Sequence, residues 1–437
     1  MVYCVNYSKP RFLIYQPEFE ELIQLFKQRN STVEQYISTD QFQQLKREAP
    51  EPPQRAKFSK RSTAFILFTG GTTRYPKGVM LSHYNIGCMI AMAGQMLVQG
   101  TKEFRESFLD EDLKNKMLTA LPLFHGAGLF LALCSMFGGI TFITQKKFDA
   151  VETLKTIEEE KVTFCAMVPT TLKQFIEHPD LKKYDLSTLR TIIYGAAPTT
   201  PTILGKALKT FPNSDFVQDF GQTEASPVLT IMSALGHMEA RTNRRLLASA
   251  GHTLPGIEVK VVDHEGNEVP RGEVGEIIAR GDNIMQGYWE QPEKTVQTLR
   301  GGWLHTGDLG KMDEEDFIYI TGRGKDMIVS GGENIYPIEV EDAILSHPSI
   351  LECAVIGIPD EKWGEAVTSF VILRRGLKEG VDVTEEELID HVKSKIANYK
   401  APKKITFRRK LPKSPQGKIL KRKLRKPFWK DQERQVA

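Results

Sequence analysis

Paired cysteines and an excess of charge of one sign are both missing from this 437-residue sequence. The five cysteines are scattered, odd in number and never form a CxxC pair, which argues against a zinc site and suits a reducing, cytoplasmic compartment. Lysine and arginine total 58 against 55 acidic residues, so no overall electrostatic field demands a nucleic-acid partner. We therefore expect small-molecule chemistry without nucleic acid.

A long uninterrupted apolar run is also missing. The longest apolar segment, residues 117–144, is broken by Pro122, several glycines and Ser135. A membrane-spanning helix needs about 20 continuous apolar residues, so we expect a buried strand, a loop and a core helix here instead. Charges and Pro10 near the N-terminus argue against a signal peptide. The sequence predicts no transmembrane segment and is compatible with peripheral membrane contact.

The chain is too long for one compact core, so two or three domains are expected. Up to about residue 200, short apolar runs alternate with amphipathic segments, which is typical of parallel sheets with crossover helices. Strands are predicted at 12–15, 64–68, 117–121, 140–144, 163–168 and 191–194, and helices at 18–28, 151–161 and 170–177. Residues 251–320 have the short strands and Gly and Pro turns of a β-rich subdomain.

A smaller unit follows residue 324, with predicted strands at 352–358 and 369–373 and predicted helices at 337–346 and 385–398. The predicted fold is therefore α/β. A large N-terminal domain of residues 1–324 would combine parallel sheets, helices and the β-rich subdomain. Residues 325–437 would form a small, mobile α+β domain.

Residues 68–83, FTGGTTRYPKGVMLSH, predict a polyphosphate-binding loop. Glycines allow the backbone to approach an anion, threonine hydroxyls donate to it, and Lys77 adds a point charge. The segment is not a P-loop, because Gly78 rather than Ser or Thr follows Lys77. We expect the loop to leave the edge of a sheet, where α/β folds commonly bind nucleotides. A flexible surface turn is the alternative for this segment alone.

Taken with five further motifs, this loop resembles the adenylate-forming superfamily of acyl-CoA synthetases, luciferases and peptide-synthetase adenylation domains. The resemblance is greatest to the fatty acyl-CoA ligases and runs from near residue 1 to near residue 425. The further motifs are PLFHGAG, GAAP, DFGQTE, HTGDLG with TGRGKD, and LPKSPQGKIL. The resemblance implies ATP, Mg²⁺ and coenzyme A as cofactors or co-substrates, and a fatty acid as substrate.

For the phosphate loop, the resemblance implies ATP binding by Thr69, Gly70, Gly71, Thr72, Thr73 and Lys77, with Thr72 also a metal ligand. Two positions depart from the family pattern: Gly70 replaces a serine and Arg74 replaces a glycine. Loss of the hydroxyl weakens contact with pyrophosphate, whereas Arg74 could restore charge or stiffen the loop.

The same resemblance implies a nucleotide site. Phe220 offers adenine a flat face, Thr223 contacts the α-phosphate and Glu224 binds Mg²⁺. The other residues of this nucleotide site contact adenine or ribose, or belong to the motifs that do so: Gly195, Ala196, Ala197, Asp219, Gly221, Asp308 and Arg323. From the residues alone, an ordinary strand-to-helix turn, a core phenylalanine and a turn-forming aspartate are the alternatives.

Catalysis of adenylation is implied for Lys418, since a lysine that reaches both the carboxylate and the α-phosphate stabilises their transition state. The resemblance also puts His125 at the mouth of an acyl pocket and the hinge of a rotating domain at Lys325. Gly331 and Gly332 would approach the pantetheine of CoA. Small residues would leave the pocket open for an aliphatic chain: Gly126, Ala127, Gly128, Ala196 and Ala197. The CoA phosphates would contact a group of basic residues, for which a solvated basic face is the alternative: Lys400, Lys403, Lys404, Arg408 and Arg409.

These residues predict an ATP-dependent acid–thiol ligase that forms acyl-AMP and then acyl-CoA. A carrier-protein or amine acceptor is one alternative, and a catalytically silent nucleotide-binding homologue is another. Members of the family normally begin with a further N-terminal segment. Either the sequence is a fragment or a mis-started frame, or its short form is real. Exposed sheet edges and uncovered apolar surface are then expected, which a partner chain or a homodimer contact could cover.

Overall fold

The computed structural model of the chain describes residues 2–28, 32–49, 57–70, 75–98, 102, 114–414 and 417–429. Its described residues form a mixed α/β protein with five sheets. This confirms the predicted fold class. No described helix has the length and apolar character needed to cross a bilayer.

The N-terminal part carries two small sheets. Its helices are α1 (Val2–Ser8), α2 (Glu20–Lys27), α3 (Thr39–Glu48) and α4 (His83–Val98). Its strands are β1 (Phe12–Tyr15), β2 (Gln35–Ser38), β3 (Thr63–Thr69) and β4 (Lys77–Ser82). β1 and β2 pair in parallel. Helix α3 begins at a capping box, in which the Gln41 N–H donates to Ser38 Oγ and the Ser38 N–H donates to Gln41 Oε1.

β3 and β4 pair in an antiparallel arrangement, and β3 is the edge strand of a three-stranded sheet, so the phosphate loop follows an edge strand as expected. A parallel crossover needs a dozen or more residues, whereas Thr69 and Lys77 are already paired partners across this short connection. β4 also pairs with β14 (Gly287–Tyr288), which joins the hairpin to the β-rich part of the chain.

The largest sheet has seven strands. They are β5 (Lys116–Thr119), β6 (Thr141–Thr144), β7 (Phe164–Met167), β8 (Thr191–Gly195), β9 (Asp215–Phe220), β10 (Thr230–Met232) and β11 (His252–Thr253). Its order is β11-β10-β9-β8-β7-β5-β6, and β5 to β9 are parallel. All four residues of β7 are buried, as a strand covered on both faces requires. The strands predicted here from apolar runs are confirmed.

Five helices connect or flank these strands: α5 (Gly126–Phe137), α6 (Ala150–Glu160), α7 (Pro169–Ile176), α8 (Pro201–Thr210) and α9 (Ala234–Ala240). Asp149 caps α6 by accepting from the Glu152 N–H, and Thr200 caps α8 by accepting from the Ile203 N–H. The apolar segment 117–144 is strand, loop and core helix, as predicted. Because the crossover helices return the chain to the same end of the sheet each time, the carboxyl ends of the parallel strands all lie along one edge.

The predicted β-rich part contains a four-stranded antiparallel sheet in the order β12-β13-β15-β16. Its strands are β12 (Ile257–Val262), β13 (Gly275–Gly281), β15 (Leu304–Met312) and β16 (Ile318–Arg323), with α10 (Pro292–Thr298) between β14 and β15. Asp308 and Arg323 are paired across β15 and β16. This register places two charged side chains together at one end of the sheet.

The C-terminal part has its own sheet and core. Its strands are β17 (Ile328–Ser330), β18 (Glu333–Ile335), β19 (Ile350–Asp360), β20 (Gly364–Leu373) and β21 (Lys404–Phe407). Its helices are α11 (Pro337–Leu345), α12 (Glu385–Lys393) and α13 (Lys421–Arg425). Ile328, Val340, Val355 and Val367 belong to a buried cluster drawn from this part alone. The predicted domain boundary at residue 324 stays a prediction.

Apolar side chains are exposed around the β1–β2 sheet. Phe12 is 50% exposed, Leu25 is 56% exposed and Leu45 is 54% exposed. Within the described residues, β1 and β2 pair only with each other. The structure therefore has the uncovered apolar surface and the open sheet edges that the sequence predicted.

Candidate active site

An apolar cavity of about 290 Å³ opens beside the carboxyl ends of β8 and β9. Gly195 and Asp219 are register partners there, at or near the last residue of each strand. Ligands of open parallel sheets commonly bind at such an edge. Apolar side chains from β5, α5, β7, β8 and β9 line most of the cavity, among them Met117, Phe130, Phe164, Ile193 and Val217.

Two of the five small residues predicted to open this pocket, Ala127 and Ala196, line the cavity. At Gly128 a side chain is excluded by the backbone and not by the cavity, because a Cβ there would lie 2.2 Å from the Pro122 carbonyl oxygen. This glycine allows α5 to pack closely on the preceding loop. Gly126 faces Thr223, whose Oγ1 would be 3.6 Å from a Cβ at that position. Neither glycine, nor Ala197, is among the described residues that line the cavity.

Ala196 follows β8 with a φ of +61°, a left-handed conformation that is rare and strained for a residue with a Cβ. Gly195 before it has no room for a side chain, since a Cβ would lie 2.3 Å from Asp219 Oδ1. The chain thus turns sharply at the end of β8 and brings Ala196 into the cavity wall. Strain of this kind is concentrated at functional sites.

Lys418 reaches this site from a loop near the end of the chain. The Lys418 N–H donates to Ser414 Oγ at 3.3 Å, and the Ser414 N–H donates to the Lys418 carbonyl at 2.8 Å. Thr170 at the start of α7 donates its hydroxyl to the Gly417 carbonyl at 3.2 Å. Gly417, directly before Lys418, is therefore held on the helix that follows β7.

Burial lowers the pKa of Lys418 to about 8, and the charge of Arg323 acts in the same direction. The negative charges of Asp219 and Asp308 oppose this shift. Lys418 in turn contributes to lowering the pKa of His125, which burial brings to about 4. His125, Asp219, Asp308 and Arg323 therefore all lie within electrostatic reach of Lys418.

Asp308 and Arg323 form an ion pair, with Arg323 Nε 3.0 Å from Asp308 Oδ1. Asp308 is only 6% exposed, and burial raises the pKa of its carboxyl while the charge of Arg323 opposes the rise. Asp308 also raises the pKa of Arg323. A buried carboxylate held in this way has a second oxygen available for the hydroxyls of a ribose.

Glu224 lies in a 3₁₀ turn, Thr223–Ala225, directly after β9. The Met285 N–H donates to the Glu224 carbonyl at 2.9 Å, and Asn283 Nδ2 donates to the Ala225 carbonyl at 2.8 Å. The Tyr288 hydroxyl donates to Glu224 Oε1 at 2.8 Å. The turn is thus fixed by the chain around β14, and its carboxylate is oriented by a phenol.

The ammonium of Lys77 lies 4.4 Å from the centre of the Tyr288 ring. Burial lowers the pKa of Lys77, and the charge of Glu224 opposes this. The end of the phosphate loop and the Glu224 turn therefore meet across Tyr288. A single carboxylate beside a phosphate loop suits Mg²⁺, which proteins commonly hold through one or two carboxylates and the phosphates of the substrate.

Tyr288 and Asn283 were not predicted from the sequence. Their run, residues 283–288, has the composition of an ordinary turn and strand. Tyr288 is 64 residues from Glu224 in the chain, so no local pattern connects them. The contact depends on long-range packing, in which β14 pairs with β4 and the Met285 N–H donates to the Glu224 carbonyl.

The other predicted residues are distributed as follows. Thr69 ends β3 and Gly70 follows it, whereas Gly71, Thr72 and Thr73 lie outside the described residues. His125 caps α5, and its Nδ1 accepts from the Ala127 N–H at 3.3 Å. Phe220 ends β9, and a Cβ at Gly221 would lie 2.2 Å from the Pro227 carbonyl oxygen. The roles predicted for these residues stay predictions.

Lys325 and the two C-terminal glycines lie in the C-terminal part. Arg425 donates to the Lys325 carbonyl at 2.7 Å and pairs with Asp326. Gly331 and Gly332 form the turn between β17 and β18, with φ angles of +62° and +86°. The Gly331 N–H donates to the Trp363 carbonyl at 2.8 Å. Neither glycine is among the described residues that line the cavity.

A polar contact holds the C-terminal part against the large sheet. Arg374 donates to both oxygens of Glu177, at 2.7 and 3.0 Å, and Lys206 donates to the same carboxylate at 2.7 Å. Lys173 Nζ donates to the carbonyl oxygens of Ile350 and Leu351. This contact holds the two parts in the orientation that places Lys418 within electrostatic reach of Asp219 in the cavity wall.

Comparison with known proteins gives the family. A model of the AMP-binding enzymes matches residues 1–289, and one of the AMP-binding enzyme C-terminal domain matches residues 339–418. A medium/long-chain-fatty-acid–CoA ligase of Mycobacterium tuberculosis is 35% identical over 92% of this chain and 68% of that protein. A long-chain-fatty-acid–CoA ligase of Bacillus subtilis is 39% identical over 83% of this chain and 61% of its own length.

A feruloyl-CoA synthase of an Amycolatopsis species is 36% identical over 83% of this chain and 69% of that protein. Among solved structures, an amide bond synthetase from Marinactinospora thermotolerans superposes with a TM-score of 0.84 at 30% identity, covering 98% of this chain and 82% of that one. The chain thus spans roughly two thirds of the length of the curated relatives it matches. It belongs to the AMP-binding enzymes, the family of adenylate-forming acyl-CoA ligases.

Proposed function

We propose that this chain activates a medium- or long-chain fatty acid as acyl-AMP and transfers the acyl group to coenzyme A. The observation that carries the proposal is the position of Lys418. Its ammonium is within electrostatic reach of the Asp308–Arg323 pair and of Asp219 in the wall of the apolar cavity, although Lys418 is far along the chain from all three. Together they provide a cation for the reaction centre, a ribose contact and a site for an alkyl chain.

In the first half-reaction, the carboxylate of the acid would attack the α-phosphorus of ATP, and pyrophosphate would leave. The ammonium of Lys418 would stabilise the negative charge that the attacking and phosphoryl oxygens share. Asp308 and Arg323 would fix the ribose, while Thr223 would donate to the α-phosphate. Glu224, oriented by Tyr288, would hold a magnesium ion that neutralises phosphate charge. No side-chain nucleophile is required, so positioning and electrostatics supply the rate enhancement.

In the second half-reaction, the CoA thiolate would attack the acyl carbonyl carbon and AMP would leave. We infer that the C-terminal part first rotates about Lys325, which removes Lys418 and brings the Gly331–Gly332 turn toward the cavity. Lys403 and Arg408 are candidates for the CoA phosphates. Lys400 suits that role less well, because Glu339 already accepts from its ammonium at 2.8 Å.

The apolar lining of the cavity favours an aliphatic chain. Two of the relatives are named as fatty-acid–CoA ligases, which supports the same substrate class. An aromatic acid is the second candidate, because the feruloyl-CoA synthase is similar to this chain over a comparable length. A cytoplasmic enzyme that uses soluble ATP and CoA fits this chemistry.

An amine acceptor is an alternative for the second half-reaction, favoured by the structural likeness to an amide bond synthetase. Both versions share the same first half-reaction. They differ only in the nucleophile that enters after the C-terminal part has moved.

The test is ATP–pyrophosphate exchange by the purified chain with a panel of saturated fatty acids and cinnamic acids, followed by addition of CoA or an amine. We expect exchange with fatty acids and a thioester product with CoA. Exchange followed only by an amide would assign the alternative acceptor. No exchange from a folded chain that binds ATP would contradict the enzymatic proposal and support a silent nucleotide-binding homologue.

A further inference from the structure

The wall of the acyl cavity contains an acidic side chain, Asp219, which the family resemblance assigned to the nucleotide site and to which the proposed reaction gives no role. Among the described residues that line the cavity, only Asp219 carries a full charge at neutral pH. Its neighbours in the wall are mainly aliphatic or aromatic, and the hydroxyl of Tyr194 already contacts Gln218 and His237, at 3.0 and 2.7 Å. A carboxylate in such surroundings has an energetic cost unless a donor reaches it.

Among the residues that the structure describes, no other residue donates to the Asp219 carboxylate or forms an ion pair with it, and only its own backbone N–H donates to it. Burial raises its pKa to about 6, while its own backbone N–H and the charge of Lys418 act in the opposite direction. Lys418 is close enough to influence the carboxylate but does not form an ion pair with it. The carboxylate can therefore accept from a molecule in the cavity.

The backbone is arranged around this carboxylate. A side chain at Gly195 would collide with Asp219 Oδ1, at 2.3 Å from its Cβ, so glycine there leaves space for the carboxylate. Ala127 and Ala196 are further small residues of the wall. Together they leave space for a substituent beside the acid group of a bound substrate.

The position of Asp219 along the cavity indicates where that substituent would be. Asp219 is the penultimate residue of β9, four residues before Thr223, and it lies within the electrostatic reach of Lys418. It is therefore at the end of the cavity that faces the reaction centre. A group that reaches it must be on one of the first carbons after the substrate carboxyl.

We propose that Asp219 is a specificity-determining residue that selects acids bearing a hydrogen-bond donor, a hydroxyl or an amino group, on the second or third carbon. The inference rests on the proposed ligase function and specifies its substrate class. An unsubstituted chain would displace water from the carboxylate without replacing its hydrogen bonds. A site built around a polar group discriminates strongly against analogues that cannot pair with it.

The experiment compares matched acids on the same protein. ATP–pyrophosphate exchange is measured with decanoate, 2-hydroxydecanoate, 3-hydroxydecanoate and 2-aminodecanoate, and each kcat/KM is divided by that of decanoate. For the unmodified chain we expect a ratio of at least about tenfold for one of the substituted acids, as for a hydrogen bond to a charged group. Which acid responds identifies the donor and its carbon.

Two variants test the residue. Asp219→Ala removes the acceptor, and Asp219→Asn keeps its shape but loses its charge. We expect the ratio to fall to near one in Asp219→Ala and to an intermediate value in Asp219→Asn. Ser135→Ala, a polar-to-apolar change elsewhere in the cavity wall, should leave the ratio unchanged. Thermal melts and ATP binding establish that each variant is folded.

Three outcomes would overturn the inference. A ratio near one in the unmodified chain would mean that Asp219 does not select for a donor. An equal loss for every acid in both Asp219 variants would assign Asp219 to positioning Lys418 or the nucleotide. No exchange with any acid would contradict the proposed function itself, and the inference with it.

Discussion

At the scale of single residues, the ionisation of Lys418 gives the clearest prediction. Its ammonium must be charged to stabilise the adenylation transition state, and its pKa in the free protein is about 8. The charged form is lost as the pH rises through that value, so kcat/KM for pyrophosphate exchange should fall above about pH 8. The negative charge of bound phosphates favours the charged ammonium and raises the pKa of Lys418 in the substrate complex. The fall of kcat with increasing pH should therefore occur at a higher pH than the fall of kcat/KM.

The matched variant for this prediction is Lys418→Arg, whose guanidinium stays charged throughout the range. Its activity should be lower because the geometry changes, but its basic limb near pH 8 should disappear. An unchanged limb in Lys418→Arg would assign the titration to another group.

A second prediction concerns Tyr288, whose hydroxyl donates to the Glu224 carboxylate. Tyr288→Phe removes one hydrogen bond to a charged group, which is worth about 1.5–3 kcal/mol. We expect the KM for Mg·ATP to rise by roughly tenfold or more, with a small change in the KM of the acid. Steady-state exchange kinetics measure both constants.

Tyr319→Phe is the matched control, because its hydroxyl donates to Asp313 in the β-rich sheet and not to the site. If both variants raise the KM for Mg·ATP equally, the effect is a general loss of stability and Tyr288 has no specific role.

At the scale of elements, the contact around Glu177 fixes the orientation that places Lys418 beside Asp219, Asp308 and Arg323. Arg374→Ala removes two hydrogen bonds to the Glu177 carboxylate. Because Arg374 is partly exposed, screening reduces the expected effect to about 1 kcal/mol. The rate of acyl-AMP formation in a single turnover should fall by roughly fivefold, while thioester formation from added acyl-AMP should not fall.

Arg245→Ala is the control, since Arg245 pairs with Glu315 at 2.7 Å outside the C-terminal part. It should change neither half-reaction. Equal losses in both half-reactions of Arg374→Ala would indicate damage to the fold and would contradict a role in orientation.

Some strands of the fold could be predicted from the sequence, and others could not. The strands β7 and β8 were predictable because short apolar runs with β-branched residues, bounded by turns and followed by amphipathic segments, signal buried parallel strands. The β3–β4 hairpin was not predictable. An apolar strand before a glycine-rich loop has the same local sequence pattern whether the next strand pairs with it in an antiparallel hairpin or the chain continues into a parallel crossover.

Some residues of the candidate site were also predictable from the sequence, and others were not. The motif residues Asp308, Arg323, Glu224 and Lys418 were identified through resemblance to a family, since each taken alone also has an ordinary structural explanation. Tyr288 depends on a long-range strand pairing that no local pattern encodes. The cavity position of Asp219 depends on the register of β8 and β9. Such contacts follow from topology, which a single sequence specifies only indirectly.

At the scale of the whole molecule, the exposed apolar surface around the β1–β2 sheet predicts self-association. Phe12 and Leu25 are at least half exposed, and surfaces of this kind commonly become interfaces. We expect the weight-average sedimentation coefficient to increase with protein concentration, and we expect Leu25→Glu to reduce that increase. A sedimentation coefficient that does not increase with concentration would contradict this prediction.

The central claim is that one cleft performs two half-reactions and that Lys418 serves only the first. The most direct measurement is rapid quench of Lys418→Ala beside the unmodified chain, once with ATP, fatty acid and CoA and once with preformed acyl-AMP and CoA. Acyl-CoA is quantified by mass spectrometry. We predict that the variant loses roughly 100-fold or more of its rate from ATP, as for removal of a group that stabilises transition-state charge, and keeps its rate from acyl-AMP. Equal loss from both starting points would contradict the account.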